Sequence, residues 1–141
     1  MRLSVTTPRG SLVETDIDEL VAPGALGEFG ILPGHVPFMS ALKPGVLIFR
    51  VKNGNSLLAL GEGVLQVSRT ENDGEKILVL VHEAVRAEDV DADAAAKEVL
   101  AADHEIGNWK GELNGDYQAL LLRRAWAQAR VDAVARRQVV H

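Results

Sequence analysis

The sequence predicts an all-β sandwich followed by a C-terminal antiparallel α-helical hairpin, on three observations. Short apolar stretches punctuated by turn residues run from Leu3 to about Ala87. Past that point alanine becomes abundant and strand formers thin out. Two segments with helical apolar spacing then flank a polar link that carries glycine, a pattern of paired helices rather than of further strands.

The strand candidates are LSVTT, LVETDIDELV, GVLIFRVKNG, SLLALGEGVLQVS and EKILVLVHEAV. Within LVETDIDELV, Val13, Thr15, Ile17, Glu19 and Val21 alternate with Leu12, Glu14, Asp16, Asp18 and Leu20, which reads as one half-buried strand with a mostly acidic outer face. Asn53-Gly54 and Asp73-Gly74 lie between apolar runs, where a tight hairpin turn accepts positive φ. Gly61 and Gly63, inside LALGEGVLQV, fit a bulge or a strand corner. The segment from Pro23 to Phe38, PGALGEFGILPGHVPF, holds too many glycines and prolines for a helix or an uninterrupted strand.

In the second part, Asp89 or Asp91 caps a first helix that runs to about Ile106, with Gly107 as the C-terminal stop. Ala95, Val99, Ala102 and Ile106 share one face of it. The link GNWKGELNG leads to a second helix starting near Asp116, with Tyr117, Leu120, Leu121, Ala127 and Val131 as its stripe and Trp126 on a different side. From Glu88 to Ile106 seven acidic residues face Lys97 alone, whereas the second helix carries Arg123, Arg124, Arg130, Arg136 and Arg137 against Asp116 and Asp132. Opposite charge favours pairing of the two helices, each exposed pair contributing about 0.2–1 kcal/mol. The expected division is a sandwich over 1–87 and a helical hairpin over 88–141.

With 47% hydrophobic and 25% charged residues, the 141-residue chain has the balance of a globular protein. It has no cysteine, which excludes disulfides and thiolate metal sites. MRLSVTTPRG lacks the apolar core of a signal peptide, and runs such as ILVLV are too short to cross a bilayer, so a soluble, cytosolic chain with no membrane insertion is expected. A net charge of −5 argues against nucleic acid as a partner.

Candidate chemistry is sparse. His35, His82, His104 and His141 have no metal-ligand spacing, and His104-Glu105 lacks the second histidine of a zinc-binding helix. There is no G-x-S-x-G elbow. Gly24, Gly27 and Gly30 lead into strand-like residues and Pro33 instead of a Gly-Lys-Ser/Thr loop or a helix. Asp16 and Asp18 read as a solvated strand face. The expectation is a binding or transmission protein with no catalytic residue, metal or cofactor.

PGALGEFGILPGHVPFMSALKPG resembles the pattern of the epsilon subunits of F-type ATP synthases. VTTPRGSLVETDIDELVAPG resembles that family's opening strands, GEGVLQVS its G-G-x-x-E/Q-V strand, and AVRAEDVDADAAAKEVLAA the start of its helical arm. The resemblance implies about ten sandwich strands and a non-catalytic rotor subunit that couples proton flow through the c ring to ATP synthesis. Its implied partners are the gamma subunit, the c ring and, through the arm, the catalytic beta subunits. It would sit peripherally on the cytoplasmic face of the bacterial plasma membrane.

By this resemblance Glu28 and His35 contact polar loops of the c ring, although both also suit a turn-stabilising role. Phe29, Ile31 and Phe38 read as packing residues. Arg123, Arg124, Arg130, Arg136 and Arg137, more than pairing with the first helix requires, form the surface that restrains ATP hydrolysis or, alternatively, a solvated helix face. Some members bind ATP through an Ile/Leu-Asp-x-x-Arg-Ala motif. The corresponding run here is VDADAA, which keeps Asp91 but has Ala94 in place of the arginine. Alanine offers phosphate no charged fork, leaving Asp91, Arg123 and Arg124 as the candidate ATP contacts. A free-standing nucleotide-sensing module of the same architecture is the alternative reading.

Overall fold

The computed structural model describes residues 1–72 and 74–140, with backbone alone for Val140. Ten strands precede the helices: β1 (Arg2–Thr7), β2 (Gly10–Asp16), β3 (Glu19–Gly24), β4 (Gly27–Ile31), β5 (Phe38–Leu42), β6 (Gly45–Val51), β7 (Gly54–Leu60), β8 (Gly63–Thr70), β9 (Gly74–Val81) and β10 (Ala84–Arg86). A 3₁₀ turn, Ala87–Asp89, leads into α1 (Ala92–Gly107) and α2 (Gly115–Val140). Asp73 and His141, the first half of one expected hairpin turn and one of the four histidines, lie outside the described residues.

The strands form one hydrogen-bonded path, β10-β7-β6-β3-β5-β8-β9-β1-β2, with β4 attached to β3. It doubles over at the single β3–β5 pair, Gly24 opposite Leu42. One layer is then β10-β7-β6-β3-β4 and the other β5-β8-β9-β1-β2. Leu20, Ile31, Leu47, Phe49, Leu58 and Leu60 of the first meet Leu3, Val5, Leu65, Val67, Ile77 and Val79 of the second in a closed core. Arg86 on β10 donates from Nη2 to the Leu12 carbonyl of β2 at 3.1 Å, bridging the two ends of the path.

LVETDIDELV is two strands, not one. Ile17 donates its N–H to the Met1 carbonyl and Asp18 to that of Arg50, both at 2.8 Å, so the chain leaves β1 and joins β6 at this corner. The inward parity changes with it: Val13 and Ile17 are buried before the corner, Leu20 and Ala22 after it. Alternation along a sequence cannot register such a step, because a one-residue shift exchanges the faces.

The Asn53-Gly54 hairpin forms as the turn residues indicate, with Val51 opposite Gly54. The two glycines of GEG mark the corner between β7 and β8. A Cβ on Gly63 would lie within van der Waals contact distance of the Leu80 carbonyl oxygen and 2.7 Å from Val81 Cα. Only an absent side chain lets β9 pass this close.

Of the two candidate caps, Asp91 is the one used, its carboxylate accepting the Ala94 N–H at 3.0 Å. Such a cap stabilises a helix by about 1 kcal/mol. At the other end Gly107 is still helical and Asn108, at φ −102°, is the C-cap, so the expected glycine stop is displaced by one residue. Ala95 and Ala102 of α1 are buried, as are Leu120 and Ala127 of α2.

Candidate functional site

The outer faces of the two layers differ in what covers them. On β6 and β7, Val46, Leu57 and Ala59 point outward and are buried under Ala87, Ala129 and Ala133, with Ile48, Val85 and Trp126 packed around them. Burial on both faces is why these strands read as the continuous apolar runs GVLIF and LLAL. Trp126 lies off the helix–helix stripe because it serves this second, sheet-facing surface of α2.

The strand β9 has the same kind of run, ILVLV. Its inward residues Ile77, Val79 and Val81 are core, but nothing among the described residues covers its outer face. There Leu80, 44% exposed, pairs with Val64, 39% exposed. Val64 is opposite Ala41, and Met39, 65% exposed, is opposite Gln66. These outward residues carry no charge, and charged ones return toward the rim at Lys76 and Arg2.

The glycine- and proline-rich segment borders this face. Gly24 and Gly27 face one another across the β3–β4 hairpin, with Leu26 fully exposed at its tip. The loop from Leu32 to Pro37 is fastened by Gly34, at φ +88°, whose N–H donates to both carboxylate oxygens of Glu75 on β9 at 3.0 and 2.9 Å. The left-handed φ selects glycine there. Phe29 and Phe38 stack edge to face at 5.5 Å against the core, and Ile31 is fully buried, so all three pack. His35 lies 4.9 Å from the Phe38 ring, its Nδ1 2.7 Å from the Val36 carbonyl oxygen. Glu28 is exposed on β4 and accepts from Arg136 Nη1 of α2 at 2.6 Å.

The expected arm arginines are mostly engaged. Arg123 pairs with Glu105 at 3.5 Å, Arg124 with Asp103 at 2.8 Å, and Arg130 with Glu98, all on α1. The Arg130 guanidinium also lies over the Trp126 ring, 5.1 Å from its centroid. The Arg124 pKa is raised, first by its hydrogen bond to Asp103 and against the effect of burial. Arg136 takes Glu28, leaving Arg137 as the member of the set with no ion pair among the described residues.

Asp91 and the Arg123–Arg124 pair are not brought together. Asp103, the partner of Arg124, is twelve residues past Asp91, about 18 Å along the helix axis. A cleft of about 650 Å³ between the arm and the β7–β8 and β9–β10 turns is lined by Arg123, Arg130, Trp126, Glu62 and Glu83, but not by Asp91 or Arg124. Among the described residues no three metal-ligating side chains converge.

Neither the bare apolar face nor the Glu75-fastened loop was read from the sequence. The unbroken ILVLV run was the available signal for the first, since a strand solvated on one face alternates.

One sandwich face strapped by a helical hairpin and the other apolar and bare define a β-sandwich docking module with an appended arm. Residues 1–87 match the family model for the ATP synthase, Delta/Epsilon chain, beta-sandwich domain. The chain belongs to this ATP synthase delta/epsilon family. It is 34% identical over 131 residues to the ATP synthase epsilon chain of Nitratidesulfovibrio vulgaris (strain DP4), covering 93% of this chain and 94% of that one. It is 38% identical over 95 residues to the epsilon chain of Geotalea uraniireducens (strain Rf4), an alignment that spans 67% of this chain and 65% of the relative. Its fold is similar to a chain of the Tetrahymena thermophila mitochondrial ATP synthase central stalk and c ring, with a TM-score of 0.61, 21% identity and coverage of 95% and 96% of the two chains.

Proposed function

We propose that this chain is a non-catalytic central-stalk subunit of an F-type ATP synthase. It couples proton translocation through the c ring to ATP synthesis, and its arm restrains ATP hydrolysis. Membership in the epsilon family supports the rotor role, as does the likeness to a chain of a complex described as central stalk and c ring. Among the described residues no helix is long and apolar enough to cross a membrane, which agrees with a peripheral position on the cytoplasmic face of a bacterial plasma membrane. Glu28 and His35 are proposed to meet polar loops of the c ring.

The observation that carries this reading is the bare, uncharged face built around Met39, Val64 and Leu80. Exposed apolar area of this kind marks an interaction site, and its proposed occupant is the gamma subunit. Two aspartates, at Val64→Asp and Leu80→Asp, are expected to lower the chain's affinity for a gamma-containing ATPase about tenfold or more, the effect of about 1.4 kcal/mol. Both side chains point outward, but the two carboxylates would stand opposite one another across β8 and β9, so the melt should fall by only a few degrees, the effect of about 0.2–1 kcal/mol. Undiminished co-purification would remove the gamma assignment.

Residues 1–87 are proposed to fold without the arm, since the core between the layers contains no residue of α1 or α2. A fragment ending at Ala87 is expected to give β-type circular dichroism and a cooperative melt. A disordered fragment would overturn the two-domain division.

A further inference from the structure

Residues 32–35 form a type II turn: Pro33 stands at the first central position, Gly34 takes φ +88° at the second, and His35 donates its N–H to the Leu32 carbonyl at 3.1 Å. Type I and type II turns differ by about half a rotation of the central peptide, which reverses where its N–H aims. Glycine accepts either sign of φ, so residue 34 by itself leaves that choice open. Glu75 decides it, taking the Gly34 N–H on both carboxylate oxygens at 3.0 and 2.9 Å from 41 residues away. The Glu75 side chain, 19% exposed, is held in turn by Arg69, its cross-strand neighbour on β8, whose Nη2 is 3.5 Å from Oε1. The bond from His35 to Leu32 and the contact of its ring with the Val36 carbonyl are internal to the loop. The bond to Glu75 instead ties the loop to β9.

We propose that Glu75 is the positioning residue of this loop: it anchors the Pro33-Gly34 turn to β9 and so holds His35 in one arrangement for docking. The anchor stands on the contact with Gly34, and its use in docking rests on the ring contact proposed above for His35. A partner that binds a single arrangement has its affinity reduced by the fraction of chains that hold it. A loop fixed beforehand also has less freedom to lose on docking. Glu75 thus acts through His35.

Amide hydrogen exchange of the intact isolated chain tests the anchor. In Glu75→Ala the Gly34 and His35 amides should exchange about 3- to 10-fold faster, the factor given by a hydrogen bond of ordinary net strength. Glu75→Gln removes the charge but keeps one acceptor, so it should recover part of the difference. Unaltered exchange at both amides in Glu75→Ala would overturn the anchor and the proposal with it. Affinity for the ATP synthase complex stripped of this chain tests the use in docking, at a temperature where each variant keeps the parent's circular dichroism. Glu75→Ala is expected to weaken binding about 3- to 10-fold, with Glu75→Gln in between. In a His35→Ala background the same change should add little, because the two residues act as one unit. Full additivity, or binding weakened by His35→Ala but not by Glu75→Ala, would overturn the positioning role and leave the anchor in place. Binding unchanged by His35→Ala would overturn the ring contact itself, and the positioning role with it.

Discussion

Removing α2, by ending the chain after Asn114, is expected to raise ATP hydrolysis by the assembled enzyme about fivefold or more while assembly is preserved, a coupling of the ordinary allosteric size. The pairing of the arginines says how the arm would act. In the docked arm Arg123, Arg124, Arg130 and Arg136 are held by Glu105, Asp103, Glu98 and Glu28. Only by opening could the arm offer these four to acidic segments of the catalytic beta subunits, exchanging one set of carboxylates for another. Such an exchange is nearly balanced, and exposed charges beyond about 8 Å are screened at physiological salt, so inhibition should weaken with salt without vanishing. Changing all five arginines, Arg137 included, to alanine should reproduce much of the rise. Hydrolysis unchanged in both variants would sink the inhibitory role and leave the docking role of the sandwich untouched.

The largest effect on stability is expected from Gly63→Ala. The added methyl would meet backbone, the Leu80 carbonyl and Val81 Cα, at the point where β8 turns in beside β9. Gly63 ends the β8 ladders with both β9 and β5, and backbone paired on two sides cannot swing aside as a side-chain tip can, so the upper part of the overpacking range applies, about 3 kcal/mol. For a chain of this size that lowers the melting temperature by roughly 6–12 °C. Gly107→Ala is the matched control: nothing lies within 4 Å of its added methyl and its φ is not positive, so it should be neutral or slightly stabilising. Equal melting temperatures for the two variants would show that β9 can give way.

The features legible in the sequence were those decided within a few residues. The Asn53-Gly54 turn, the Asp91 cap and the 3.6-residue stripes of α1 and α2 follow from backbone preference and local hydrogen bonding, and those act whatever the rest of the chain does. The length of the motif around GEFGILPGH likewise made the family recognisable from residues alone. The opposite charge of the two helices indicated that they pair, but not that Arg136 reaches past α1 to Glu28.

What only the tertiary structure decided was which surface meets which. The corner at Ile17-Asp18, where inward parity flips, arises because the chain exchanges β1, its hairpin partner, for β6 as its neighbour, and β6 is the strand three further on in sequence from the one that joins it. Continuous apolar runs in β6, β7 and β9 all indicate two buried faces, yet α2 covers the outer face of the first two and leaves that of β9 bare. A sequence records how much apolar surface each strand must hide. The partner that hides it is selected by contacts between distant segments, whose cost is loop-closure entropy and whose return is shared burial, and neither term belongs to any single stretch of residues.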